Sequence, residues 1–283
     1  MNSKNNTINL SLNCKGQLID LSTPKVMGIL NITPDSFYDG GLFKDPKSIL
    51  AQAEKLILEG ATFIDIGAYS SRPGADFVSE NEELQRIVPV VELILKQFPN
   101  VLISIDSFRA KVVRECVDAG AVISNDISAG HLDDQMMKTV GELKIPYIMM
   151  HMRGTPQTMQ TLTNYNHLIN AIYGYFSERI QLAKQHRIMD LVIDPGFGFA
   201  KTLSQNYELL GNMAFFQNLN CPMLCGVSRK SMIYKKLGIT PESSLNGTTA
   251  LNTIGLLKGA SILRVHDVKE AKEVVELLKK HDE

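Results

Sequence analysis

Asp106, Asn125 and Asp194 are the residues whose types most restrict what this chain can do. Each closes a short apolar run, at residues 102–105, 122–124 and 191–193. A carboxylate and an amide held side by side can read the donor–acceptor edge of a flat nitrogen heterocycle. Pterins and guanines present such an edge, with amine and ring N–H donors next to an acceptor carbonyl. Asp194 also opens the turn Asp194-Pro195-Gly196-Phe197-Gly198-Phe199, which carries two aromatic rings. At least one of these rings serves ordinary loop packing on the usual pattern.

A second set of residues suits anions. The segment GVSRKS, from Gly226 to Ser231, gathers two cations and two hydroxyls where a helix begins. Arg264 and His266 alternate at the end of the last apolar run, with Val265 between them turned inward; together they suit a diphosphate. Asn31 and Asp35 in NITPDSF offer hard oxygens of the kind Mg²⁺ takes beside substrate phosphates, although the same segment also reads as an Asx-turn and helix cap. The loop AYSSRPGA places Ser71, Arg72 and Gly74 where they can clamp a phosphate, or where Arg72 is only a surface side chain. His151 beside Arg153 reads as a residue satisfied locally, and Met149-Met150 as core and pocket wall.

These residues need a frame that brings strand ends together. Eight apolar, often β-branched runs recur at 26–32, 62–66, 102–105, 122–124, 146–150, 191–193, 223–227 and 261–265. Continuous runs of this length suit strands covered on both faces. Amphipathic helical patterns separate them, at 48–58, 82–98, 108–119, 133–143, 167–185, 204–217, 231–237 with 244–258, and 269–280. Strict alternation without a break predicts an α/β fold, a (β/α)8 TIM barrel spanning 1–283 as one domain with its core at about 24–281. An open dinucleotide-binding sheet would carry G-x-G-x-x-G after its first strand, and none is present. Residues 10–21 predict a short hairpin closing the bottom of the barrel. The runs close with Asn31, Asp65, Asp106, Asn125-Asp126, His151-Met152-Arg153, Asp194, Ser228-Arg229-Lys230 and Arg264-Val265-His266, so every run ends in polar residues, which predicts a polar mouth at the C-terminal ends of the strands.

Composition narrows the partners. The net charge of −1 provides no long-range field for nucleic acid or acidic membranes, so anion binding must be local. No apolar stretch is long enough for a membrane span. Cys14, Cys116, Cys221 and Cys225 lack C-x-x-C spacing and read as reduced thiols of a cytoplasmic protein.

The segments MGILNITPDSFYDGG, DIGAYSSRPGA, ISIDSF, SNDISAG, MHMRGTPQTMQ, DPGFGFAKT, GVSRKS and LRVHDV, taken in this order, resemble the dihydropteroate synthases of folate biosynthesis from Met27 to Val268. The resemblance implies that the amine of para-aminobenzoate displaces pyrophosphate from the methylene carbon of dihydropterin pyrophosphate. It implies Asp106, Asn125, Asp194 and Lys230 around the pterin, with Asp106, Lys230 and Arg264 central to the chemistry. It implies Asn31, Ser71, Arg72, Arg264 and His266 toward the pyrophosphate, Asn31 through Mg²⁺. It implies Phe37, Pro73, Phe199 and Ser231 around para-aminobenzoate, with Ser71, Arg72 and Lys230 beside them. Sulfonamides should compete there, and a homodimer packed through the last helices is expected. Tyr69, Ser71 and Ala200 depart from the family pattern, which often has Glu, Thr and Gly. Two alternatives share the barrel: a pterin-dependent methyltransferase, which has no need of SRPGA, SRKS or RVHD, and an inactive pterin-binding barrel, which would be expected to lose a strand-end cation.

Overall fold

A computed structural model describes residues 10–32, 38–39, 42–43, 46–69 and 78–279. The apolar runs become eight parallel strands: β3 (Lys25–Asn31), β6 (Phe63–Gly67), β7 (Leu102–Asp106), β8 (Ile123–Asp126), β9 (Tyr147–Met150), β10 (Leu191–Asp194), β11 (Met223–Cys225) and β12 (Ala260–Val265). They close into a barrel in chain order, with β12 returning to pair with β3. The expected (β/α)8 fold is therefore the observed one.

The N-terminal hairpin is also present. Strands β1 (Ser11–Cys14) and β2 (Gln17–Asp20) pair antiparallel around Lys15-Gly16. Leu12, Cys14, Ile19 and Leu21 pack against Met27, Phe63, Leu102, Ile148, Val192, Leu224 and Ile262, residues at or near the N-terminal starts of the barrel strands. Burial of these apolar side chains seals the bottom of the barrel, at about 1.5–3 kcal/mol for each large side chain removed from water. A two-residue ribbon pair, β4 (Tyr38–Asp39) and β5 (Leu42–Phe43), follows β3.

The helices are α1 (Pro46–Leu58), α2 (Glu80–Gln97), α3 (Ala110–Asp118), α4 (Met136–Leu143), α5 (Leu168–Gln185), α6 (Leu203–Gly211), α7 (Ser231–Leu237), α8 (Leu245–Leu257) and α9 (Val268–Leu278). Most turn an apolar stripe onto the sheet, in α2 Ile87, Val90, Val91 and Ile94, whereas α8 buries Thr248, Asn252 and Gly255. Ser79 caps α2 by accepting the amide of Glu82, and Thr202 with Gln205 forms a capping box at α6.

Of the boundaries that differ from expectation, two have a plain local cause. The pattern over 204–217 predicts one helix, but α6 ends at Gly211 and a 3-10 segment, Met213–Leu219, completes the crossover. Periodicity alone does not distinguish these, because Met213 and Phe216 are buried in both geometries. Strand β11 ends at Cys225, two residues before its apolar run does, because Gly226 and Val227 already turn toward the loop that carries Ser228. No helix among the described residues is long and apolar enough to cross a membrane. All four cysteines are free and buried.

Candidate active site

Parallel strands in a closed barrel put all their C-terminal ends on one rim, so side chains distant in sequence converge there. Asp106 on β7 and Asn125 on β8 are directly paired in register. Asp194 ends β10, and Arg264 lies near the end of β12. Side chains alternate along a strand. Asn125 therefore faces the barrel interior while its neighbour Asp126 faces the helices. There Asp126 accepts the Tyr147 hydroxyl at 2.7 Å and the Gly130 amide at 2.6 Å. Asp126 belongs to the scaffold.

Arg264 lies between two carboxylates. Its Nε donates to Asp65 Oδ2 at 2.6 Å and its Nη2 donates to Asp106 Oδ2 at 2.6 Å. Asp65 also accepts from Asn125 Nδ2 at 3.0 Å. Asp65 is completely buried, whereas the side chains of Arg264 and Asp106 are 19% and 18% exposed. Asp65 is the residue that sequence reasoning left without a part in the site. Phe63, Ile64 and Ile66 around it read as an ordinary buried strand, and its partners lie 60 and 199 positions away.

Across the mouth, Asp194 is buried and accepts the Gly196 amide at 2.8 Å. Lys230 Nζ donates to the Phe197 carbonyl at 2.6 Å and lies 5.0 Å from the centre of the Phe199 ring. Of the two rings in this turn, Phe197 is fully buried and Phe199 is partly buried near the mouth. Ser231 is the first residue of α7 and is half-buried. Asn31 ends β3, half-buried, and its side chain has no partner among the described residues. His266 Nδ1 lies 3.0 Å from the Ser228 hydroxyl. Phe37, Ser71, Arg72, Pro73 and Asp35 lie outside the described residues.

One expected cation is not at the mouth. Arg229 turns away and pairs with Asp267 at 2.6 and 2.9 Å, while also donating to the Pro241 and Glu242 carbonyls. Its backbone has φ 53°, and this left-handed kink separates the directions of Arg229 and Lys230. GVSRKS therefore supplies one cation to the site rather than two.

The turn after β10 is held from beneath by Lys201, also unforeseen from sequence. Its Nζ is buried and lies 3.0 Å from His151 Nδ1, while donating to the carbonyls of Gly196 at 2.8 Å and Phe199 at 3.0 Å. His151 is thus structural, as its position suggested. Burial, with Lys201 beside it, pushes the His151 pKa well below the usual value. Gly196 has φ 72°, and a Cβ there would lie 2.1 Å from the His151 carbonyl oxygen, so only glycine fits.

The electrostatics favour exchangeable protons at the mouth. Burial pushes the Asp106 carboxyl up to about 7, against the pull of Arg264 and with the push of Asp65, Glu83 and Asp126. Burial also raises Asp194, opposed by Lys230. Burial lowers Lys230 to about 8, opposed by Asp194. Burial works against the Arg264 charge, yet Asp65 and Asp106 outweigh it and raise its pKa. Among the described residues no three His, Cys, Asp or Glu side chains are grouped to cage a metal ion.

The pattern that defines the pterin binding enzymes matches residues 27–266. A dihydropteroate synthase of Escherichia coli (strain K12) is 44% identical over 271 residues, covering 95% of both chains. The chain belongs to the dihydropteroate synthase family. A solved Yersinia pestis dihydropteroate synthase with a sulfonamide drug complex is 41% identical, with a TM-score of 0.88, covering 94% of this chain and 97% of that one. A Xanthomonas albilineans dihydropteroate synthase in complex with 7,8-dihydropteroate is 34% identical, with a TM-score of 0.84 over 94% and 97% of the two chains.

Two departures from the dihydropteroate synthase pattern have local accounts. Ala200 adopts φ 49°, a conformation glycine takes more easily, and compensates by burying its methyl beside Met152 and Phe199. Tyr69 packs edge-on against Phe108 and its hydroxyl accepts from Gln157 at 2.8 Å, so an aromatic contact supports the loop stem. Ser71 lies outside the described residues.

Proposed function

We propose that this chain catalyses dihydropteroate formation in the cytoplasm. The amine of para-aminobenzoate attacks the methylene carbon of 6-hydroxymethyl-7,8-dihydropterin diphosphate. The new C–N bond forms as the C–O bond breaks, pyrophosphate leaves, and the amine nitrogen gives up one proton. The observation that carries this reading is the convergence of Asp106, Asn125, Asp194, Lys230 and Arg264 on one rim of the barrel.

Each residue has work suited to its chemistry. Asp106 and Asp194 accept from pterin N–H groups, and Lys230 donates to the ring carbonyl. The pterin ring can delocalise positive charge at the methylene carbon, so the leaving group can depart largely before attack. Buried carboxylates then oppose the cationic ring, while Arg264 and His266 oppose the departing anion. An aniline nitrogen already has a free lone pair, so no covalent nucleophile and no strong base are required. Phe199 and Ser231, with Phe37, Pro73, Ser71 and Arg72, are assigned to the para-aminobenzoate side, where sulfonamides would compete.

Magnesium fits as a shared ion. The half-buried Asn31 offers one hard oxygen with no partner among the described residues, and Mg²⁺ commonly takes few protein ligands beside substrate phosphates. Bound there by Asn31, it would neutralise charge on the diphosphate. The same reading carries a homodimer packed through α8 and α9, where Leu257 and Leu277 are 68% and 82% exposed.

The deciding experiment measures pyrophosphate release by the purified protein supplied with dihydropterin diphosphate and para-aminobenzoate, with and without Mg²⁺. Release that requires both substrates supports the reading. No release under any of these conditions overturns it.

A further inference from the structure

We propose that Asp65 is a positioning residue for heterocycle recognition: its carboxylate fixes which way the Asn125 amide faces and anchors Arg264 at its Nε. The inference rests on the pterin reading above and concerns a residue outside the set expected to touch the ligand.

The geometry constrains the amide. An Asn side chain has a donor end and an acceptor end of nearly equal size. A carboxylate oxygen only accepts, so the end within 3.0 Å of Asp65 Oδ2 must be Nδ2. The Asn125 carbonyl is then turned away from Asp65, with no partner among the described residues. It joins the carboxylates of Asp106 and Asp194 as an acceptor. A ligand rich in N–H donors suits that set, and a flipped amide would set a donor against a donor.

The same oxygen also accepts from Arg264 Nε. This leaves the outer guanidinium nitrogens free to face other groups, and Nη2 reaches Asp106. Arg264 is thus tethered at its inner edge while its outer edge remains exchangeable. The other carboxylate oxygen, Asp65 Oδ1, is buried and has no hydrogen-bond partner. Folding accepts this cost, typically about 1–3 kcal/mol for an unsatisfied buried polar atom. A small or apolar residue would avoid the cost but could not orient Asn125.

One oxygen performs both tasks, which gives a sharp test. Asp65→Asn can present a carbonyl where Oδ2 now lies, without the negative charge. Asp65→Leu has similar volume and no acceptor. Binding of 6-hydroxymethylpterin, which lacks phosphates, is measured by calorimetry, with pyrophosphate titrated separately and thermal midpoints recorded. Asp65→Leu should weaken pterin binding by about 10-fold or more, the usual scale of a lost hydrogen bond to a charged group. Asp65→Asn should stay within about 3-fold of the parent, since the acceptor is restored. Unchanged pterin affinity in Asp65→Leu overturns the proposal. So does an equal loss in both variants, which indicates charge or general damage instead of orientation. If Asp65→Leu does not fold, Asp65→Ala is read by the same criteria. A parent protein that binds neither ligand overturns the functional reading itself, an outcome distinct from a parent that binds and a variant that binds equally well.

Discussion

Arg264 Nη2 and Asp106 Oδ2 meet at 2.6 Å across the barrel mouth, from positions 158 residues apart. In the proposed reaction each group would be drawn elsewhere when substrate arrives: Asp106 by a pterin N–H, Arg264 by the diphosphate. The pair compensates both charges, and in the proposed reaction it would stand in for two ligand contacts. Arg264→Ala should raise the Kd of the diphosphate substrate by about 10- to 100-fold. Affinity for a phosphate-free pterin should fall by clearly less, since there the loss comes only through an Asp106 carboxyl that no longer has Arg264 to hold it ionised. Calorimetry on both ligands checks this, and equal losses would count against a diphosphate role for Arg264.

Asp106 and Lys230 should set the pH dependence. The Asp106 carboxyl, with a pKa pushed up to about 7, is protonated on the acid side and then accepts poorly. Lys230, lowered to about 8, loses its charge on the basic side. For the free enzyme, kcat/KM should follow a bell between these values. Lys230→Arg should move the basic limb upward, and Asp106→Asn should abolish turnover. Near-normal turnover in Asp106→Asn would remove Asp106 from the heterocycle site.

The same carboxyl should leave a mark on stability. A carboxyl whose pKa rises on folding binds its proton more tightly in the folded state. Its stabilising contribution is full below its ordinary 3.8 and is lost as pH climbs through about 7. Asp106→Asn should therefore flatten the fall in thermal midpoint between pH 5 and pH 8. It should not abolish that fall, because burial also raises Asp194, Asp126 and Glu83. An identical slope in the variant would show that the Asp106 carboxyl is not strained by its surroundings.

The barrel was legible because doubly covered strands must be apolar throughout, which marks β3, β7 and β10 in the sequence. Helix edges were less so: Gly211 breaks a stripe whose apolar period continues. The mouth was legible where a polar residue ends an apolar run, as at Asp106, Asn125 and Asp194. Asp65 was noted as one more polar strand end, but its partners are set by barrel closure between β12 and β3 rather than by sequence distance. Arg229 misled for the opposite reason. Its neighbours in GVSRKS suit an anion, but a positive φ redirects it to Asp267.

Asn31 gives a metal-dependent prediction. If its side-chain oxygen shares Mg²⁺ with the diphosphate, Asn31→Ala should raise the Mg²⁺ concentration needed for half-maximal pyrophosphate release by about 10-fold, roughly the worth of one ligand or hydrogen-bonding partner at a charged site. KM for para-aminobenzoate should move less. A magnesium titration of both proteins decides it, and superimposable curves would place the ion elsewhere.

Lys201 bears on how the two halves of the site stay aligned. Its Nζ has three partners, His151 Nδ1 and the carbonyls of Gly196 and Phe199, and burial pushes its pKa well below the usual lysine value. The turn so held runs from Asp194, assigned to the heterocycle in the proposed reaction, to Phe199 beside Lys230. Lys201→Met keeps the apolar stem but takes the Nζ partner from His151 Nδ1 and from the Phe199 carbonyl, while the Gly196 carbonyl keeps the Phe199 amide, so stability should fall by about 1–3 kcal/mol in urea denaturation. The kinetic signature should be uneven. Asp194 sits in the β10 ladder, where pairing with β9 holds it independently of Lys201. Phe199 has no such ladder. KM for para-aminobenzoate should therefore rise several-fold more than KM for the pterin diphosphate. A loss of stability with both KM values unchanged would make Lys201 a support for the fold alone.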